Sequence, residues 1–201
     1  MSDSIVEFDN VDYSYRGDWL QRIHALKCIN LEVPHGASFG YLGANGAGKS
    51  TSIKLLTGML FGYTGGIKLF GEEIGPATLR EKIGYLPEHP FFYEHLQVEE
   101  YFTYLAKLSH MSGGALRSSL GNVYQLLDLG DLRKRKLGSF SKGMRQRFGL
   151  GQAIIHKPDL LILDEPFSGL DPLWRSRFRE VLKLERARGA TLFFSSHILS
   201  D

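Results

Sequence analysis

The chain has 201 residues, of which 43% are hydrophobic and 23% charged, and a net charge of +2. That balance fits one folded domain with a sizeable core and excludes a disordered chain. It gives nucleic-acid binding no support, and no apolar run approaches the roughly 18 residues of a membrane span. The single cysteine, Cys28, leaves no pair for an internal disulfide and fits a reducing compartment. Within Ala25-Leu26-Lys27-Cys28-Ile29 it reads as a small core residue. The polar, acidic start Met1-Ser2-Asp3-Ser4 is unlike a secretory signal peptide.

In chain order, Ile5-Val6-Glu7-Phe8 and Val11-Asp12-Tyr13-Ser14-Tyr15 read as short strand segments. The polar stretch from Arg16 to Arg22 separates them from a further strand, Ala25 to Val33. Pro34-His35-Gly36 is a turn, and Ala37-Ser38-Phe39-Gly40-Tyr41-Leu42 reads as a buried strand. Directly after it comes Gly43-Ala44-Asn45-Gly46-Ala47-Gly48-Lys49-Ser50-Thr51, followed by Ile53-Lys54-Leu55-Leu56-Thr57 with apolar residues at helical spacing. Strand, glycine-rich loop and helix thus follow in the order and spacing of a phosphate-binding loop. Glycines permit positive φ and leave backbone N–H groups open to a phosphate, and the helix start adds donors and a positive dipole end. Lys49 is placed to neutralise β- and γ-phosphates, and the Ser50 hydroxyl to ligate magnesium. A plain strand-to-helix turn would need neither the full spacing nor the lysine.

Gly65 to Gly71 is a strand bounded by glycines, and Ile83-Gly84-Tyr85-Leu86-Pro87 a brief strand stopped by proline. The character then turns helical. Val98, Tyr101, Phe102 and Leu105 share one helical face, as do Leu116, Leu120, Val123 and Leu127. Arg133-Lys134-Arg135-Lys136 reads as a solvated loop. Ser141 is typed as the N-cap of a helix over 142–155, where Gly149 and Gly151 imply close packing on a neighbour. Leu160-Leu161-Ile162-Leu163 suits a central parallel strand buried on both faces. A helix follows from Pro172 to Arg188, and Thr191-Leu192-Phe193-Phe194 is the last strand.

Asp164 and Glu165 leave the apolar strand at its carboxyl end, where an α/β sheet presents groups to a ligand. Adjacent carboxylates leaving a strand diverge, so Asp164 is assigned to the metal and Glu165 to general base. A surface pair of acids would not call for four apolar residues before it and a proline after it.

Taken together these motifs resemble the ATP-binding cassette family, the ATPase subunits of ABC transporters. Gly43 to Thr51 is similar to its Walker A and Leu160 to Glu165 to its Walker B. Ser168-Gly169-Leu170-Asp171 resembles the D-loop, His197 the switch histidine, and Tyr15 the aromatic that stacks on adenine, with Tyr13 the runner-up. Two segments depart from the pattern. The signature, usually Leu-Ser-Gly-Gly-Gln, is Phe140-Ser141-Lys142-Gly143-Met144, which keeps the phosphate-contacting Ser141 and Gly143. Its continuation, Ser-Lys-Gly-Met-Arg-Gln-Arg, is similar to the exporter branch that includes drug and sodium efflux systems. The Q-loop glutamine is replaced by Glu88, a carboxylate still able to meet the metal's water.

The resemblance implies an α/β fold: a P-loop NTPase core (1–87 and 158–201) with an N-terminal antiparallel β region and an inserted helical subdomain (88–157). It implies ATP and Mg2+ as cofactors, hydrolysis with Glu165, His197 and Glu88 in the catalytic set, and Ser50, Asp164 and Glu88 at the metal. It further implies a dimer formed around ATP and an integral membrane permease as partner. That places the chain in the cytoplasm, at the inner face of the membrane. Family members continue beyond the switch histidine, so an end at Asp201 implies C-terminal truncation. The competing classes are a soluble ABC ATPase of DNA repair or translation, and a nucleotide-binding module without turnover. No sustained heptads separate Lys49 from Ser141 and one cassette is present, which disfavours the first; Lys49, Asp164, Glu165 and His197 together disfavour the second.

Overall fold

The computed structural model describes residues 4–16, 21–75, 79 and 81–197. Residues 1–3, most of the polar stretch after Arg16, and Asp201 lie outside them. Two four-stranded sheets form the frame. The first is antiparallel, in the order β2 (Arg22–Pro34), β1 (Ser4–Arg16), β4 (Thr64–Leu69), β5 (Glu72–Glu73). The second is parallel, in the order β3 (Ser38–Leu42), β8 (Thr191–Ser196), β7 (Leu160–Asp164), β6 (Ile83–Leu86).

The two N-terminal segments form one strand, broken in register where Asn10 turns left-handed at φ 48°. Opposite it Cys28 does the same at φ 44°, and Asn10 and Asn30 exchange hydrogen bonds across the irregularity. This bulge corrects the reading of Cys28 as a core residue. One extra residue puts both Lys27 and Cys28 outside while Leu26 stays buried, so the thiol is exposed beside Asp12.

The apolar run Leu160–Leu163 is fully buried between β6 and β8, as a central parallel strand should be. Its side chains alternate between two cores. Leu160 and Ile162 join Phe193, Ile53 and Leu55 beneath the antiparallel sheet. Leu161 and Leu163 join Leu192, Phe102, Phe148 and Phe178 on the helical side. The expected burial of Ala37–Leu42 does not hold. Among the described residues β3 is the outermost strand, bonded only to β8, so its residues are half-buried or exposed and Leu42 retains 47% of its surface.

Helix α1 (Lys49–Leu56) follows β3 directly. Between β6 and β7 lie α2 (Val98–Leu108), α3 (Gly113–Leu126) and α4 (Lys142–Ile154). A capping box of Gln97 and Glu100 starts α2, and the carbonyls of Arg133 and Arg135 accept from Glu99 and Val98 N–H. The basic run is thus an exposed loop whose backbone caps a helix. Ser141 Oγ caps α4 by accepting from Met144 N–H at 3.3 Å. A Cβ on Gly149 would sit 2.6 Å from Leu86 Cδ1, and one on Gly151 2.7 Å from Phe102 Cζ. Both glycines therefore let α4 press onto β6 and α2, for which they forgo about 1 kcal/mol each in helix propensity. Pro172 opens α5 (Pro172–Ala187) behind Asp171, whose carboxylate accepts from Trp174 N–H. Among the described residues no helix is long and apolar enough to cross a membrane.

Candidate functional site

The carboxyl ends of β3, β7 and β8 meet Tyr15 of β1 and Ile23–Ala25 of β2 around a cavity of about 400 Å³. The loop after β3 forms its floor. Gly43 N–H donates to Ser196 O, and Ala47 N–H to Ala44 O, which closes the loop tightly before α1 begins. Gly46 and Gly48 stand at φ 82° and 88°. At Gly48 a Cβ would lie 2.5 Å from Leu26 Cδ2 and 2.6 Å from Ala25 O, so only glycine lets β2 approach the loop. Lys49, 8% exposed, donates to the carbonyls of Gly43 and Ala44, the latter at 3.2 Å.

Glu165 forms the facing wall. Its φ of 46° is an outlier for a side chain with a Cβ and turns the chain sharply out of β7. The buried Asp164 therefore stays within the sheet while Glu165 enters the cavity, so the two carboxylates diverge as their sequence position implies. Glu165 Oε1 lies 3.9 Å from Lys49 Nζ, and Oε2 lies 2.8 Å from His197 Nδ1. A carboxylate oriented by an imidazole, beside a lysine, can accept a proton and hold it near anionic oxygens. Asp164 Oδ1 receives hydrogen bonds from Ser195 Oγ at 2.6 Å and from Ser50 Oγ at 3.4 Å. Burial, and next the charge of Asp164, push the nearby Tyr85 hydroxyl up to about 12, so it stays a neutral phenol.

The cavity brings together Tyr15, Ala44, Asn45, Gly46, Ala47, Gly48, Lys49, Ser50, Thr51, Glu88, Glu165 and His197. Tyr15 OH pairs with Thr51 Oγ1 at 3.2 Å, whereas Tyr13 packs against the core and meets Tyr15 edge-on. Glu88 lines the cavity from its solvent side, 46% exposed, with His89 Nε2 at 3.9 Å. Gly43 and Asp164 stand just behind the lining. Ser141 and Gly143 are not part of it; Ser141 caps α4 at an exposed position.

Two groups escaped the site reading of the sequence. Ser195 accepts from Glu165 N–H at 3.0 Å while donating to Asp164, and so ties the backbone of Glu165 to the Asp164 carboxylate. Its partners lie some thirty residues earlier, and only the small polar pair before His197 marks the place. The other is the β2 segment Ile23–Ala25, which lines the cavity because the hairpin folds back over α1.

Residues 26–168 match the family described as ABC transporter. An uncharacterized ABC transporter ATP-binding protein of Nostoc sp. is 41% identical over 202 residues, covering 98% of this chain and 60% of its own length. The bacitracin transport ATP-binding protein BcrA of Enterococcus faecalis is 42% identical over 176 residues, covering 86% of this chain and 56% of its own. A solved structure of the ATP binding subunit of an ABC transporter superposes with a TM-score of 0.88 at 32% identity, covering 98% of this chain and 81% of that one. The chain spans less than two thirds of the length of these curated relatives. The family match covers most of the chain, including the loop before α1 and the carboxylates after β7, and on that ground the chain belongs to the ABC transporter family.

Proposed function

We propose that this chain binds and hydrolyses ATP as the energising subunit of an ABC transporter. The observation that carries the reading is the contact of His197 with Glu165, 2.8 Å apart, across the cavity from the glycine-rich loop. Base and orienting group converge beside Lys49, where a phosphate chain lying on the loop amides places its terminal group. Tyr15 supports the adenine, and Lys49 exchanges its loop carbonyls for phosphate oxygens. Glu165 takes the proton from the attacking water, and His197 holds the carboxylate in line.

The donor set fits magnesium, which prefers oxygen ligands and keeps several waters and substrate phosphates instead of an all-protein cage. Ser50 and the Asp164 carboxylate would hold it, and Glu88 would meet one of its waters. When bound, the ion neutralises phosphate charge.

Ser141 and Gly143 lie at an exposed helix start outside their own cavity, which supports their serving the nucleotide of a second subunit in a two-fold sandwich. The helical stretch 88–157 acts as the subdomain that carries them. An apolar groove of about 270 Å³ between Met59, Tyr85, Pro90 and Phe91 supports an integral membrane permease as partner. Phe91 is 92% exposed there, a liability unless something covers it. The chain then works at the cytoplasmic face of the membrane, through that permease, and the run from Ser141 to Arg147 favours an exporter.

Glu165→Gln tests the reading. It should keep ATP bound while turnover collapses, and the loaded subunit should accumulate as a dimer. Adding Ser141→Arg should abolish the dimer and spare ATP binding. Light scattering with and without ATP separates the outcomes. A double variant that still dimerises removes Ser141 from the composite site, and a Glu165→Gln protein with undiminished turnover removes Glu165 as base.

A further inference from the structure

Lys142 stands where the family signature usually has glycine, and the structure shows what the added side chain does. Its stem lies across Gly169: a Cβ there would meet Lys142 Cε at 2.7 Å and Cδ at 2.8 Å. Gly169 also has φ 75°, so the contact needs glycine for both space and conformation. The ammonium donates to Ser168 Oγ at 3.4 Å, and Ser168 lines the same cavity as Glu165. Ser168 N–H in turn donates to Glu165 O at 3.1 Å. One turn further along α4, the buried Gln146 donates to Pro166 O at 3.1 Å.

The short segment from Glu165 to Gly169 is therefore held by α4 at two points. One side of it faces the subunit's own nucleotide cavity. The other meets the start of α4, next to Ser141. Gln146 reaches only backbone, whereas Lys142 reaches a side chain that lines the cavity. A lysine stem lying on glycine with its ammonium in water makes a contact that is readily broken and remade.

We propose that Lys142 is a positioning residue that links a subunit's own cavity to the surface it lends to its partner, so that filling one half-site biases the other. The proposal rests on the sandwich reading above. It assigns a role to the lysine at which this signature departs from the usual pattern.

The test uses the full chain carrying Glu165→Gln, in which ATP drives dimerisation without turnover. Light scattering gives the ATP concentration at half-dimerisation. Lys142→Met keeps the stem and removes the ammonium; Ser168→Ala removes its acceptor. Each should raise that concentration about three- to tenfold. The double variant should raise it no further than the worse single, because both break one contact. Lys142→Arg, which keeps stem and charge, should return the parent value. Effects that multiply, or a Lys142→Met protein that dimerises like its parent, overturn the proposal. A parent that binds ATP by calorimetry yet stays monomeric overturns the sandwich and this link with it. A parent that binds no ATP overturns the cavity reading on which both stand.

Discussion

Tyr13 and Tyr15 sit two residues apart on β1, with rings 5.0 Å apart and nearly perpendicular, yet they do different work. Tyr13 packs on the core under the antiparallel sheet; Tyr15 lines the cavity and pairs with Thr51 of α1. Tyr15→Ala should weaken ATP binding by on the order of 1–3 kcal/mol, the worth of a stacked base, while Tyr13→Ala should mainly lower stability. Calorimetry on both variants decides, and equal affinities would return Tyr15 to a packing role. At this scale the sequence shows most of the site. Lys49, Asp164, Glu165 and His197 are legible because each stands at the boundary of an element that the sequence pattern identifies. Ser195 is not, since its hydroxyl matters only through Asp164 and Glu165, brought beside it by parallel pairing of β7 and β8. Nor is the exposure of Cys28, which depends on a bulge that shifts its side of the sheet.

Helix α4 shows how an element positions chemistry by giving up local stability. Gly149 rests against Leu86 of β6, and Gly151 against Phe102 of α2 and Val123 of α3. Gly149→Ala adds helix propensity of about 1 kcal/mol but forces a methyl to within 2.6 Å of Leu86 Cδ1. Overpacking of that kind costs about 1–3 kcal/mol, so the substitution should destabilise on balance. Urea unfolding gives the sign, and a stabilised variant would show that α4 can lift off β6 without cost. The close approach was readable from glycines inside a helical pattern. The openness of β3 was not, because an apolar run does not tell whether a strand lies inside the sheet or at its edge.

Over the whole molecule, β7 and β8 join what would otherwise be two separate cores. Leu160, Ile162 and Phe193 serve the side of the antiparallel sheet, and Leu161, Leu163 and Leu192 serve the helical side. Neither side can melt without stripping one face of the same central strands. We therefore expect a single unfolding transition, with far-ultraviolet circular dichroism and the combined fluorescence of Trp19 and Trp174 superimposing, and a calorimetric enthalpy equal to the van't Hoff value. Two resolved transitions would show that the helices fold as an independent unit. The bulge in β2 has a practical outcome as well. It leaves the chain's single thiol in solvent, on the same strand whose Ile23–Ala25 segment borders the nucleotide cavity. A maleimide dye coupled to Cys28 therefore attaches at one defined point, with no other cysteine to remove, and its emission offers an optical record of nucleotide arrival in the unmutated chain.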